Sequence, residues 1–232
     1  MGFPLPKPGR TGTVSGTMGE HTGRTDPLLI FDLDGTLYCT ESSFVPTMRA
    51  VYSEYGIPYP GDDVVLGQVG ETFSTYLDWL TEQGFPNDHS ALARRITELE
   101  LVAIAERGRL FPGVRETLEA LRDAGCRIAL CTNGDRRYAE LVLSSCGILD
   151  LFDALQTNDD AQTTKAERVR ELLTRVEHDR AFMIGDRYHD VEAGRANGCT
   201  VVGAAYGYGG AEELATADLR IDRFTDLRSV IG

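Results

Sequence analysis

The chain has 232 residues, 42% of them hydrophobic, and a formal net charge of −13. That is enough apolar material for one globular domain with a small second one inserted, and the wrong sign of charge for a nucleic-acid backbone, which requires clustered cations. No apolar run approaches the ~18 residues of a membrane span, and the opening residues lack the apolar segment of a secretory signal, so a soluble, cytoplasmic protein without a membrane or nucleic-acid partner is expected.

Residues 1–27 are dominated by Gly, Pro, Thr and Ser and show no apolar period; they read as a disordered tail, and Met18 is an alternative start to Met1. Order is expected from residue 28. The run Leu28-Leu29-Ile30-Phe31-Asp32-Leu33 is short, apolar and closed by acid and glycine, as a buried strand would be. From 43 to 108 no strand pattern appears. Helical spacing is found instead around 45–55, 72–83 and 91–105, where Leu92, Ile96, Leu99 and Ala103 form one apolar stripe. Gly67 and Gly70 flank a short loop within this module, and Tyr76, Leu77, Trp79 and Leu80 are expected to form its core.

Beyond it, a helix follows Pro112-Gly113, with Val114, Leu118 and Leu121 on one face. A second strand, 127–131, ends in Thr132-Asn133-Gly134. Another helix is marked by Val169, Leu172, Leu173 and Val176. A third strand, 181–184, ends in Gly185-Asp186, and a fourth covers 199–203. Continuous apolar strands alternating with helices indicate an α/β core with a mainly parallel, Rossmann-like sheet. The predicted division is a catalytic core of 28–42 and 109–232 with a helical cap, 43–108, inserted after the first strand. The five cysteines (39, 126, 131, 146 and 199) contain no Cys-x-x-Cys pair and are odd in number; free thiols are expected. The four histidines have no zinc-like spacing.

In open α/β sheets, ligands bind beyond the carboxyl ends of the strands. Those ends carry Asp32 and Asp34, Thr132 and Asn133, and Asp186 with Asp190 four residues on. Four carboxylates in one crevice repel, by ~4 kcal/mol for a pair ~4 Å apart at an effective dielectric near 20. Such a cluster calls for a cation, and all-oxygen ligands point to Mg²⁺. Taken singly, each residue has a plainer meaning: an Asp after a strand caps a turn or a helix, Lys165 is a solvated charge, Thr132-Asn133-Gly134 is a tight turn, and Gly207-Tyr208-Gly209-Gly210 is a loop.

Together and in order they resemble a known family. Asp32-Leu33-Asp34-Gly35-Thr36 is similar to the first motif of the haloacid dehalogenase-like superfamily, Thr132-Asn133 to its second, Lys165 to its third, and the segment from Gly185 to Asp190 to its fourth. Phe111-Pro112-Gly113-Val114, the segment from Ala193 to Gly198 and Tyr206-Gly207-Tyr208-Gly209 resemble its phosphoglycolate-phosphatase-like branch. The resemblance implies Asp32 as nucleophile and Asp34 as general acid and then base, with the Asp34 main-chain carbonyl as a metal ligand. It further implies Thr132, Asn133 and Lys165 around the phosphate, and Mg²⁺ held by Asp32, Asp34 and Asp186, with Asp190 as ligand or as support from behind. The helical insert is similar to the family's small cap, with Gln68 and Glu71 in a specificity loop. Cys39 stands where many members have Asp, outside the catalytic motifs.

Asp34 also separates chemistries, because members that cleave carbon–halogen or carbon–phosphorus bonds lack an acid at that position. The reading is therefore a Mg²⁺-dependent phosphatase acting on a small phosphorylated metabolite through an aspartyl-phosphate. A phosphosugar mutase of the β-phosphoglucomutase type is the alternative, and a non-catalytic module on the same fold is a third reading.

Overall fold

The structure, a computed structural model, describes residues 26–159 and 163–231. The expectations for the first 25 residues, including the choice of start, lie outside the described residues. The core is a six-stranded, wholly parallel sheet of β1 (Leu28–Phe31), β2 (Arg127–Cys131), β3 (Ala154–Gln156), β4 (Ala181–Gly185), β5 (Thr200–Ala204) and β6 (Leu219–Ile221), in the order β3-β2-β1-β4-β5-β6. Both sheet faces are covered by helices: α5 (Val114–Asp123), α6 (Arg136–Ser145), α7 (Lys165–Arg175), α8 (Tyr188–Ala196) and α9 (Leu227–Ile231).

Strand alternation sorts the apolar residues into two cores. Leu29, Phe31, Ile128, Leu130 and Ile184 point to one face and pack with Val114 and Leu118 of α5, Val142 of α6 and Leu227 of α9. Leu28, Ile30, Ala129, Cys131 and Met183 point to the other and meet Val169 and Leu172 of α7 and Ala193 of α8. Each fully buried Leu, Ile or Phe contributes roughly 1.5–3 kcal/mol. Strands buried on both faces therefore need no polar residue until they end, and the polar residues collect at those ends.

Between β1 and α5 lie four further helices: α1 (Glu41–Tyr55), α2 (Asp62–Leu66), α3 (Phe73–Glu82) and α4 (His89–Arg107). They enclose their own core of Phe44, Met48, Val51, Tyr52, Val65, Leu80, Phe85, Leu92 and Ile96. The chain enters and leaves this module on two strand-like segments lying side by side. The Cys39 N–H donates to the Arg109 carbonyl at 2.9 Å and the Phe111 N–H to the Leu37 carbonyl at 3.0 Å.

Several boundaries differ from expectation. β1 stops at Phe31, and Leu33 sits in a turn where its carbonyl accepts from the Leu37 and Tyr38 N–H groups. α1 begins at Glu41, ahead of the expected cap boundary, and Val176 is already extended at the end of α7. β3 and β6, three residues each, carry too few apolar residues to register as runs. All five cysteines are free. Among the described residues, no helix is long and apolar enough to cross a membrane.

Candidate active site

The sheet order reverses at β1, whose neighbours are β2 on one side and β4 on the other. A crevice opens beyond the strand ends at such a point. Asp32, Thr132 and Asp186 are the first residues after β1, β2 and β4. The Asp32 N–H still donates to the Ile184 carbonyl at 2.9 Å, and the Thr132 N–H to the Gln156 carbonyl at 3.1 Å. These sheet hydrogen bonds continue past the strands and fix where both side chains start.

Lys165 arrives from the opposite face as the first residue of α7. A capping box between Thr164 and Glu167 starts that helix at a defined residue. Its ammonium lies 2.5 Å from Asp32 Oδ1 and 2.6 Å from Asp190 Oδ1, with the side chain only 7% exposed. The solvated-charge reading of Lys165 is thereby excluded. Burial alone would lower its pKa, but Asp190 and Asp32 outweigh burial and hold the ammonium charged.

Carboxylate oxygens of Asp32, Asp186 and Asp190 lie within 4.8 Å of one another. Asp186 Oδ1 accepts from the Thr36 hydroxyl at 3.2 Å, and Oδ2 accepts from the N–H groups of Tyr208 at 2.7 Å and Gly209 at 3.3 Å. Burial, with Asp190 adding to it, still pushes Asp186 up to about 7. Asp190 Oδ2 accepts from the Arg187 N–H at 3.0 Å, so both of its oxygens are engaged by the protein. Three buried carboxylates face a single lysine, and all the donors are oxygen. That set fits a hard divalent cation, which would remove the uncompensated charge.

Two glycines make the approach possible. Gly35 has φ +78°, and a Cβ there would fall 2.3 Å from Asp186 Oδ2; a Cβ at Gly185 would fall 2.1 Å from Asp190 Cγ. Only hydrogen fits at either place.

Asp34 departs from the expected four-carboxylate cluster. Its Oδ1 is held instead by the Thr40 hydroxyl at 2.8 Å and the Tyr138 hydroxyl at 2.6 Å. Burial raises its pKa, and these two hydrogen bonds oppose the rise. The arrangement is three carboxylates around a cation-sized space, with a fourth set apart from them and facing the cavity.

That cavity, of about 190 Å³, runs from Asp32, Asp34 and Thr132 up to Gln68, Gly70 and Glu71 of the inserted module. The Thr132 hydroxyl accepts from the Gly134 N–H at 3.0 Å. Asn133 also borders the cavity, but its amide is committed elsewhere: Nδ2 donates to the Gly70 carbonyl at 2.8 Å, and Oδ1 accepts from Arg168. Glu71 turns toward the core, with Oε2 3.3 Å from His189 Nε2 and Oε1 3.6 Å from the Arg187 guanidinium. Arg187 in turn donates to the Gly67 and Val69 carbonyls and to Glu213. Tyr76 belongs to the module's core as expected but also forms part of the cavity wall, whereas Trp79 only packs against that core.

Sequence reasoning did not find Tyr138, Thr40 or Arg187. Tyr138 and Thr40 lie outside every motif. Arg187 sits inside the fourth motif, between the two acids that drew attention.

A parallel sheet with acid residues at its switch point, a buried lysine and a helical module over the crevice define an enzyme site of the capped, Rossmann-like α/β class. Residues 29–204 match the haloacid dehalogenase-like hydrolase family model, and the chain belongs to that family. It is 32% identical over 221 residues to a phosphoglycolate phosphatase of Caulobacter vibrioides, covering 91% of this chain and 92% of that protein. A phosphoglycolate phosphatase of Haemophilus influenzae is 28% identical over 226 residues, covering 88% and 97%. The crystal structure of a "predicted phosphoglycolate phosphatase" from Haemophilus somnus superposes with a TM-score of 0.80 at 24% identity, over 88% of this chain and 97% of that one. The chain is therefore a hydrolase, in the phosphoglycolate-phosphatase-like branch, and its relatives place it among the family's phosphatases.

Proposed function

We propose that the protein is a Mg²⁺-dependent phosphatase that hydrolyses a small phosphate monoester through a phosphorylated Asp32, as a cytoplasmic enzyme of small-metabolite chemistry. The observation that carries this reading is the contrast between the two aspartates of the first motif. Asp32 faces the Lys165 ammonium at 2.5 Å, whose charge favours its ionised form against burial and the Asp190, Asp186 and Asp34 carboxylates, which together raise its pKa well above the ordinary value. Asp34 is buried, bonded to two hydroxyls and raised in pKa, which suits a group that must hold and then give a proton. Two acids whose surroundings differ in this way take different parts in one reaction.

In the first half, an Asp32 oxygen attacks phosphorus and the bond to the ester oxygen breaks. Asp34 delivers its proton to that leaving oxygen, so an alcohol departs. In the second half, Asp34, now ionised, takes a proton from water as the water attacks the phosphoaspartate. Phosphate is released and both carboxyls return to their starting states. Thr132 and Lys165 face the transferring oxygens and balance their charge. Asp32, Asp186 and the Asp34 main-chain carbonyl would hold Mg²⁺, with Asp190 positioning Lys165 from behind. When bound, the ion supplies positive charge beside the phosphoryl oxygens. The module of α1–α4 acts as a cap over 43–108 that limits substrate size and excludes bulk water.

Phosphate release from p-nitrophenyl phosphate, with Mg²⁺ and again with excess chelator, tests this directly. Turnover that needs the ion and disappears in Asp32→Asn supports the reading. Undiminished turnover in chelator refutes the metal assignment, and no turnover under either condition supports a non-catalytic module. Conversion of glucose 1-phosphate to its isomer with a bisphosphate activator, in place of phosphate release, would identify a mutase.

A further inference from the structure

The cavity that begins at Asp32 and Asp34 ends on one face of α4, where Thr97, Glu100, Leu101 and Ile104 line it. These positions recur at helical spacing, so one stripe of the helix faces the space. Phe44 and Phe73 complete an apolar wall, and Phe73 leaves 43% of its surface exposed.

Glu100 and Tyr76 are among the polar side chains that belong to that wall. Among the described residues, no side chain hydrogen-bonds or ion-pairs with the Glu100 carboxylate, and burial pushes its carboxyl up to about 8, with Asp34 and Asp135 adding to the rise. The Tyr76 hydroxyl is buried and has no hydrogen-bond partner among the described residues. Glu100 is near enough to contribute to raising the Tyr76 pKa, behind burial and Tyr52. Every other acid bordering the cavity is already occupied. Asp34 is held by Thr40 and Tyr138, Asp135 caps α6, and Glu71 faces Arg187 and His189.

Resting on the phosphatase reading above, we propose that Glu100 and Tyr76 form a leaving-group subsite. It selects phosphate esters whose alcohol half carries a hydrogen-bond donor, a hydroxyl or an ammonium, on a short carbon skeleton, over esters whose alcohol half carries a carboxylate. Glu100 is half-buried on the cavity wall, and its carboxyl can accept from a ligand hydroxyl or ammonium, an interaction lost with a ligand that has no donor. A ligand carboxylate would enter the same surroundings, burial with Asp34 and Asp135 nearby, that disfavour the ionised form of Glu100 itself. Among the described residues, the one Lys or Arg lining this space, Arg137, is exposed. A cavity of about 190 Å³ admits a skeleton of a few carbons between the phosphoryl end and Glu100.

The test is the selectivity ratio, measured with Mg²⁺ as kcat/KM for glycerol 3-phosphate and for phosphoethanolamine, each divided by kcat/KM for 2-phosphoglycolate. The wild type is expected to favour at least one donor-bearing ester about tenfold or more. Whichever is preferred identifies the donor as hydroxyl or ammonium. Glu100→Leu and Tyr76→Phe should each collapse that ratio about tenfold, mainly through KM, because neither side chain reaches the reacting atoms. Val102→Ser, exposed on the same helix and outside the cavity, should keep the wild-type ratio. A wild-type preference for 2-phosphoglycolate, or a ratio that survives both substitutions, overturns the subsite while leaving the phosphatase reading intact. Absence of turnover for every ester, p-nitrophenyl phosphate included, overturns both.

Discussion

Asp32 and Asp34 are two residues apart, yet their surroundings differ; the proposed mechanism gives them separate tasks, and substitution should produce separate faults. Asp32→Asn removes the proposed nucleophile; a folded protein without phosphoenzyme is expected, because an amide is a poor nucleophile. Asp34→Asn removes the proposed proton donor, the carboxyl held by Thr40 and Tyr138. Esters with alkoxide leaving groups should then slow by about 10²–10⁴-fold. p-Nitrophenolate needs little protonation, so that substrate should release one burst of nitrophenol and stall, because water activation still needs the base. Intact-mass measurement would show the trapped phosphate adduct; full turnover of an alkyl phosphate by Asp34→Asn would leave the residue a structural role only. At this scale much was legible. Asp32, Thr132, Lys165 and Asp186 stand at element starts and ends, which the apolar runs mark. What held Asp34 was not legible, since Tyr138 is 104 residues away in the sequence. The engagement of Asn133 by Gly70 and Arg168 was hidden for the same reason: both partners are distant in sequence.

At the scale of elements, the loop between α2 and α3 divides the two residues expected to act together. Gln68 borders the cavity, whereas Glu71, though also beside it, is tied to His189 and Arg187. Arg187 grips the loop through the Gly67 and Val69 carbonyls and is itself anchored by Glu213 at 2.8 Å. The fourth-motif loop thus binds the cap loop directly. Arg187→Met should raise KM for all substrates by a similar factor, about tenfold, because it loosens the loop without favouring any leaving group. Gln68→Ala should reorder the substrates instead. A substrate panel separates the two, and the idea fails if Arg187→Met reorders the panel while Gln68→Ala leaves the order unchanged. The long elements were readable because their burial is periodic: four of the six strands and the helices α1, α3, α4, α5 and α7 follow from apolar spacing. β3 and β6 add three residues each at or toward the sheet edges, and α6 and α8 have polar faces and few apolar positions. In those elements tertiary packing, rather than local pattern, decides the structure.

For the molecule as a whole, the site is a source of instability that a bound cation should relieve. Asp32, Asp186 and Asp190 lie within 4.8 Å of one another with one lysine between two of them, in a chain that already carries a net charge of −13. Like charges so close and so buried oppose folding. A cation that binds only the folded state stabilises it by about 2.7 kcal/mol at a hundred times its dissociation constant. For a chain of this size that corresponds to a rise of roughly 5–10 °C in Tm. Mg²⁺ is therefore expected to raise Tm in a concentration-dependent way, and a monovalent salt at equal ionic strength should not reproduce the rise. Asp186→Asn keeps the shape of the side chain and removes one of the three charges. In the absence of Mg²⁺ it should melt at or above the wild-type temperature, since the repulsion is reduced, and it should lose most of the Mg²⁺-induced shift. The pairing of those two results is informative, because a merely structural role for Asp186 would lower the metal-free Tm. Calorimetry of both proteins across a Mg²⁺ series, with chelator as the zero point, decides the matter. An unchanged Mg²⁺ shift in Asp186→Asn would place the ion elsewhere on this acidic surface and remove Asp186 from its binding.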